Sequence, residues 1–317
     1  MRRLLVCVLL AACGEDAAPV PTGTVLAGDQ LMPWGIAIDE TSIYWTTLGQ
    51  GAGPAQVLKM PKTGGTPTVL ADGQQLPLEI AVDPDSVYWT TLHGTVWRVA
   101  KSGGSPTVLA DSQIYPLAIV VDATDVYWTN YRGGSIARVA RTGGAVTEVV
   151  TGQMLPNSLA TDDHAIYWTS GDAVMRAAKS DFAPVAMATG QDHPSAVQID
   201  AQTLYWVNRG QPARGSVMAM PLTGGAPSPI ATDQAVPDDL AVTSTIYWAD
   251  WGEDGYDGSI ARAAHGSIEI VAGRQAHPVA VVADASGVYW TNAGACHEDQ
   301  TTHIVYCDSG AVMTSAR

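Results

Sequence analysis

The segment Val126-Tyr127-Trp128-Thr129-Asn130-Tyr131-Arg132-Gly133-Gly134-Ser135-Ile136-Ala137-Arg138-Val139 reads as a strand, a glycine-rich turn and a second strand. Its Tyr-Trp pair recurs at Tyr44-Trp45, Tyr88-Trp89, Tyr167-Trp168, Tyr205-Trp206, Tyr247-Trp248 and Tyr289-Trp290, at intervals of 38 to 44 residues. Seven of the ten tryptophans are used in this way, so the repeat sets the architecture. A period near forty in a chain rich in strand-forming residues marks a propeller or a solenoid.

Working outward from Tyr-Trp, each copy carries Gln-x-x-Pro upstream, from Gln30/Pro33 and Gln74/Pro77 to Gln275/Pro278. Six residues after the Pro comes Asp39, Asp83, Asp122, Asp162, Asp200 or Asp284, with Thr243 in the sixth copy. Downstream lies a variable loop, then a strand such as Val96-Trp97-Arg98-Val99. A Gly-Gly pair such as Gly103-Gly104 follows, then a short apolar run such as Thr107-Val108-Leu109. This predicts four strands per copy. Neighbouring side chains on a strand point to opposite faces, so Tyr and Trp should pack against different neighbouring blades. Gly-Gly predicts a tight two-residue hairpin. The Asp should cap backbone amides, and Gln and Pro should shape the crossing between copies.

The two ends of the chain fix the closure. The seventh copy ends after its third strand, while Thr24-Val25-Leu26-Ala27 matches Thr68-Val69-Leu70-Ala71 and comes before the first copy. The expectation is an all-β, seven-bladed β-propeller of four-stranded antiparallel blades over residues 23–317, with the N-terminal strand completing the last blade. Such closure removes open sheet edges. Three insertions, at 48–55, 251–257 and 296–307, break the regularity.

Residues 43–47, 126–139 and 246–250 resemble the YWTD propeller repeats of lipoprotein-receptor ectodomains. Those propellers bind partners, so the resemblance implies a binding scaffold for a protein or glycan. Among the copies here Asp250 alone keeps the acidic residue of that motif, and the receptor propellers have six blades. Seven-bladed lyases and lactonase-like propellers are the neighbouring enzymatic possibility.

The N-terminus carries an address. Arg2 and Arg3 precede an apolar run too short to span a bilayer. Leu10-Ala11-Ala12-Cys13 resembles the lipobox of bacterial lipoproteins. That resemblance implies a signal peptide at 1–12, a lipidated Cys13, a flexible tether through residue 22, and a place in the bacterial cell envelope outside the cytoplasm. Loss of 1–12 would take the formal charge from −15 to about −17. Such an acidic chain is unsuited to nucleic acid, whose phosphates need Lys and Arg. Membrane contact is expected through the lipid alone. Cys296 and Cys307 remain as an even pair outside the cytoplasm, which reads as a disulfide. The alternatives are a zinc site with His297 and His303, or free thiols.

Function should lie on the face that carries the loop after Tyr-Trp and the crossing around Pro, where the copies diverge. Trp34, Tyr115, Asn157, Asp238, Trp251 and Tyr256 are the candidate ligand-binding residues. His193 and His277 precede Pro in two copies, and with Glu79 or Asp239 they are the candidate acid–base groups of a lyase or lactonase. Asp250, Glu253, Asp254 and Asp257 lie among glycines, a pattern suited to calcium. No other cofactor is expected.

Overall fold

A computed structural model describes residues 22–49, 53–210, 214–253, 256–264, 266–294 and 310–315, and the backbone alone of 296–298 and 305–307. Seven four-stranded antiparallel sheets stand in a closed ring, each innermost strand lying against those of its two neighbours. Blade 1 is made of Pro33–Ile38, Ser42–Thr47, Gln56–Pro61 and Thr68–Ala71, counted from the axis outward. Blades 2 to 6 follow at 77–110, 116–150, 159–188, 194–234 and 237–275. Blade 7 takes Pro278–Ala283, Val288–Asn292 and Gly310–Ser315, and its outermost strand is Thr24–Gln30 from the other end of the chain. The expected fold and closure are both present. Among the described residues no helix is long and apolar enough to cross a membrane.

The alternation of Tyr and Trp builds the seams between blades. Tyr44 of blade 1 meets Trp89 of blade 2, Tyr88 meets Trp128, and Tyr127 meets Trp168. The pattern continues through Tyr167 with Trp206, Tyr205 with Trp248, Tyr247 with Trp290, and Tyr289 with Trp45. All seven tryptophans are fully buried. Truncating one to Ala would cost on the order of 3–5 kcal/mol.

The turn Asp does more than cap amides. Asp39 accepts the N–H groups of Thr41 and Ser42 on one oxygen and the Tyr44 hydroxyl on the other, at 2.8–2.9 Å. Asp83, Asp162 and Asp200 repeat the arrangement with Tyr88, Tyr167 and Tyr205. A cation after the third strand then reaches back to the preceding blade. Lys101 pairs with Asp39 at 2.7 Å and Lys179 with Asp122 at 2.6 Å. Arg141 pairs with Asp83, and Lys62 with Asp284. The fifth blade has Leu222 at this position, so the girdle of ion pairs covers the 7–1, 1–2, 2–3 and 3–4 seams.

The Gly-Gly connection is wider than a two-residue hairpin. The N–H of Gly64 donates to the Pro61 carbonyl, closing a turn that the third strand enters, and the fourth strand starts only at Thr68. Gly64 and Gly65 have φ of 87° and 131°. The second value suits glycine alone, and it swings the chain outward rather than straight back.

The insertion at 296–307 contains a small ladder of its own, Cys296–Glu298 against Val305–Cys307. Its register sets Cys296 opposite Cys307. The side chains of this ladder, like Cys13, the segment before residue 22 and Asp254, lie outside the described residues.

Candidate functional site

The face around the channel is assembled at the Gln-x-x-Pro crossings. In every copy the residue before Pro has a left-handed backbone, with φ between 49° and 60°. These residues are Met32, Leu76, Tyr115, Leu155, His193, Val236 and His277. In six copies this turn aims the residue's carbonyl at an N–H in the loop after Tyr-Trp: Leu48 to Met32, Leu92 to Leu76, Tyr131 to Tyr115, Arg209 to His193, Trp251 to Val236 and Ala293 to His277. Crossing and loop are stitched together, so side chains on both stay fixed around the mouth.

The Thr after Tyr-Trp adds a second tie. Thr46, Thr90, Thr129, Thr169 and Thr291 each donate a hydroxyl to a carbonyl on the first strand of the next blade or, for Thr129, just ahead of it at Asn157, at 2.6–3.4 Å. Blades 5 and 6 carry Val207 and Ala249 instead and have no such hydroxyl. Other groups serve at those seams: Ser195 donates to the Asp238 carbonyl at 3.0 Å, and Asp239 accepts the Val281 N–H at 2.8 Å. Two of the site's three acids, Asp238 and Asp239, therefore sit where the repeat departs from its own pattern, while Glu79 lies at a regular seam.

The first strands of all seven blades line an axial cavity of about 450 Å³. That volume is in the range of small-ligand sites. Around its mouth stand Trp34, Glu79, Tyr115, Tyr131, Asn157, Ser158, Arg209, Asp238, Asp239 and Trp251. A more open depression of about 570 Å³ lies between the loops of blades 1 and 2, lined by Leu48, Gln75, Leu76 and His93, with no charged group converging on it.

Burial raises the carboxyls. Glu79 is pushed up to about 8 by burial and by repulsion from Asp239 and Asp238, against a hydrogen bond from the Trp34 side chain. Asp239 is pushed up to about 7 by burial, against the N–H groups of Val281 and Leu240. Burial also raises Asp238, opposed by Arg209, whose Nε donates to Asp238 at 2.7 Å. Glu79 belongs to blade 2 and Asp239 to blade 6, so the two acids face the mouth from different sides of the ring.

Five of the six residues named as ligand-binding line this cavity: Trp34, Tyr115, Asn157, Asp238 and Trp251. Tyr256 lies outside it and is 56% exposed. Of the proposed acid–base groups, Glu79 and Asp239 are brought to the mouth, while the histidines are not among its lining. The His193 side chain is 71% exposed and paired with Asp192, whereas Tyr115, at the same left-handed corner of its own copy, lines the cavity. His277 props Trp251 edge-on at 5.4 Å, with Nδ1 at 3.2 Å from the Gly294 carbonyl.

Of the residues in the calcium pattern, Asp254 lies outside the described residues. Asp250 is turned inward, accepts the Trp248 indole N–H at 3.2 Å, and is pushed up to about 7 by burial. Asp257 accepts the Glu253 N–H at 2.8 Å. Among the described residues no three His, Cys, Asp or Glu side chains gather closely enough to hold a metal ion. The residue that sequence reasoning passed over is Ser195. Its signal was positional, since it follows Pro in the fifth copy as Trp34, Asn157 and Asp238 do in theirs.

Fold and site together define a seven-bladed β-propeller with an aromatic and acidic channel mouth. Solved structures share this fold. A streptogramin B lyase is 16% identical with a TM-score of 0.72, over 92% of this chain and 97% of that one. A chain of a nidogen/laminin complex is 18% identical with a TM-score of 0.54, over 70% and 94%. A Mycobacterium tuberculosis puromycin-hydrolyzing peptidase is 17% identical with a TM-score of 0.60, over 92% of this chain and 56% of that one, so the match takes in about half of the peptidase chain. No family model and no curated protein matches the chain.

Proposed function

We propose that this is a lipid-anchored, extracytoplasmic binding propeller that holds a protein or glycan ligand at the channel mouth. The observation that carries the reading is the make-up of the mouth. Two tryptophans and two tyrosines stand beside Asn157, Ser158 and three carboxylates. Broad aromatic faces with polar groups between them suit a sugar, which has an apolar ring face and a hydroxyl edge. A glycan is therefore favoured over a protein. The lipobox-like Leu10-Ala11-Ala12-Cys13 supports anchoring outside the cytoplasm. Export in turn supports a disulfide between Cys296 and Cys307, which face each other across their ladder.

The test is a glycan array probed with the detergent-solubilised full-length protein, beside a W34A/W251A double variant. Binding by the wild type that the variant loses supports the reading. Equal retention by both overturns it. Incorporation of a clickable fatty acid that Cys13→Ala abolishes checks the anchor.

A second reading, an enzyme of lyase or lactonase type, is favoured by Glu79 at about 8 and Asp239 at about 7, values suited to exchanging a proton near neutrality. Turnover of a lactone or a cyclic ester that Glu79→Gln abolishes would establish it.

A further inference from the structure

A carboxylate withdrawn from water needs a cation or several hydrogen bonds to remain charged. Three carboxylates line the channel mouth; of the described residues lining it Arg209 is the one cation and is spent on Asp238, and Arg132 on the rim lies over Tyr115. Among the described residues neither Glu79 nor Asp239 has a Lys, Arg or His partner. Glu79 is opposed in its burial by Trp34 alone, and Asp239 by backbone N–H groups. The mouth is thus short of positive charge.

The surrounding walls have the complementary chemistry. Aromatic faces attract cations through their quadrupole, and this rim already shows it: the Arg132 guanidinium lies 5.0 Å over the Tyr115 ring, itself packed on Tyr131. Trp34 and Trp251 line the same cavity. The Trp251 indole N–H has no acceptor in the free protein, and a small turn of this ring, which lines the same cavity, would bring it to a ligand oxygen. Asn157 and Ser158 offer further polar contacts. Among the described residues no three of these side chains gather closely enough for a metal ion, so an ammonium, which one or two carboxylates can hold, fits better than a bare ion.

Resting on the glycan reading of this site, we infer that the mouth binds an amino sugar through its free ammonium group, set between Glu79 and Asp239. The ring's apolar face lies on the aromatic wall, and a ring or hydroxyl oxygen accepts from Trp251. N-acetylation removes the charge and with it the recognition.

Calorimetry on the full-length protein tests this with three matched tetrasaccharides: a glucosamine oligomer, its N-acetylated form and a neutral glucose oligomer. The expected result is at least tenfold tighter binding of the free amine. At pH 5, where the sugar's amine is already charged, binding should release protons, read by repeating the titration in buffers of different ionisation enthalpy, because an arriving cation ionises Glu79 and Asp239. The groups facing this pair are Asp238, Arg209 and Trp34. Glu79→Gln and Asp239→Asn should each weaken binding about tenfold while raising the melting temperature of the free protein, since each removes a half-buried acid that has no cation beside it. A purely structural role would lower both.

Equal binding of acetylated and free forms overturns the ammonium site and leaves the glycan reading standing. Tighter binding of tetralysine than of the amino sugar overturns the sugar assignment. Binding of none of these ligands, nor of any glycan on the array, overturns both readings.

Discussion

The side-chain carbonyl of Gln113 accepts the indole N–H of Trp128 at 3.0 Å, while its amide donates at 2.8 Å to the carbonyl of Asp111. Gln113 lies on the crossing out of blade 2, and Trp128 is in the heart of blade 3. The same two bonds recur in all seven copies, with indole distances of 2.8–3.1 Å. Each crossing is thereby buttoned onto the tryptophan of the blade it introduces. In blades 3, 5 and 7 the amides of Asn130, Asn208 and Asn292 donate to the same Gln oxygen.

Removing the button leaves a buried donor without a partner, which costs about 1–3 kcal/mol. Gln275, buried and also holding Asn292, should be the most sensitive. Gln275→Ala is expected to lower stability more than Gln30→Ala, measured by urea unfolding of both variants. Similar losses would show that burial at this position does not matter.

Closure depends on a strand borrowed from the far end of the chain. Deleting residues 24–30 strips Gly310–Ser315 of its outer partner, with Thr24 opposite Thr314 and Gln30 opposite Gly310 in the intact ladder. An uncovered strand edge invites pairing between molecules. The truncated chain should form concentration-dependent oligomers by light scattering. A co-expressed peptide of residues 22–31 should restore the size distribution of the full chain.

The left-handed corner before each Pro is strained for any residue but glycine, by roughly 1 kcal/mol. His193 is the cleanest place to see it, because its side chain is exposed and lies off the cavity. His193→Gly should raise the unfolding free energy by about 1 kcal/mol and leave ligand binding unchanged. A loss of stability would mean that the pair with Asp192 outweighs the strain.

Stability should peak in mildly acidic solution and fall on both sides. Burial works against Asp39, Asp83, Asp122, Asp162, Asp200 and Asp284, yet their hydrogen bonds and, in four of them, a cation hold all six carboxyls below the ordinary value. A depressed carboxyl stabilises above its unfolded value, and that share is lost as pH falls through the folded one. Glu79, Asp239 and Asp250 are raised instead, to about 8, 7 and 7. Their share is full below the unfolded value, near 4, and is lost as pH climbs through 7 and 8. Melting temperatures should therefore decline from pH 6 to pH 9, and Glu79→Gln with Asp239→Asn should flatten that decline. A melting temperature still rising at pH 9 would contradict the raised values.

The sequence made the blades legible because each position recurs in register: Tyr-Trp alternates, Asp follows Pro at a constant spacing, and a spare Thr24-Val25-Leu26 waits at the start. The partner of each Gln was not legible. Fourteen or fifteen residues separate it from its Trp, and only the folded crossing brings them together. The site was half visible. Residues that follow Pro point to the channel, so Trp34, Asn157, Asp238 and Asp239 could be found by listing where copies differ. His193 and His277 passed the same filter but sit one position earlier, at the left-handed corner, where Tyr115 alone of the seven residues lines the cavity, its ring packed on Tyr131. Asp250 resembled a loop ligand, yet it occupies the place that Asn130 and Asn208 hold elsewhere, facing a tryptophan.

The borrowed strand also gives the wheel a front and a back. Its last residue, Gln30, reaches the rim of the mouth, so Thr24 enters from the far side. Ahead of Thr24 the chain turns back into the ring, where the Thr22 carbonyl accepts the side-chain amide of Gln275 at 3.0 Å, between blades 6 and 7. A pull applied ahead of Thr22 would therefore act first on the seam at which the wheel is closed.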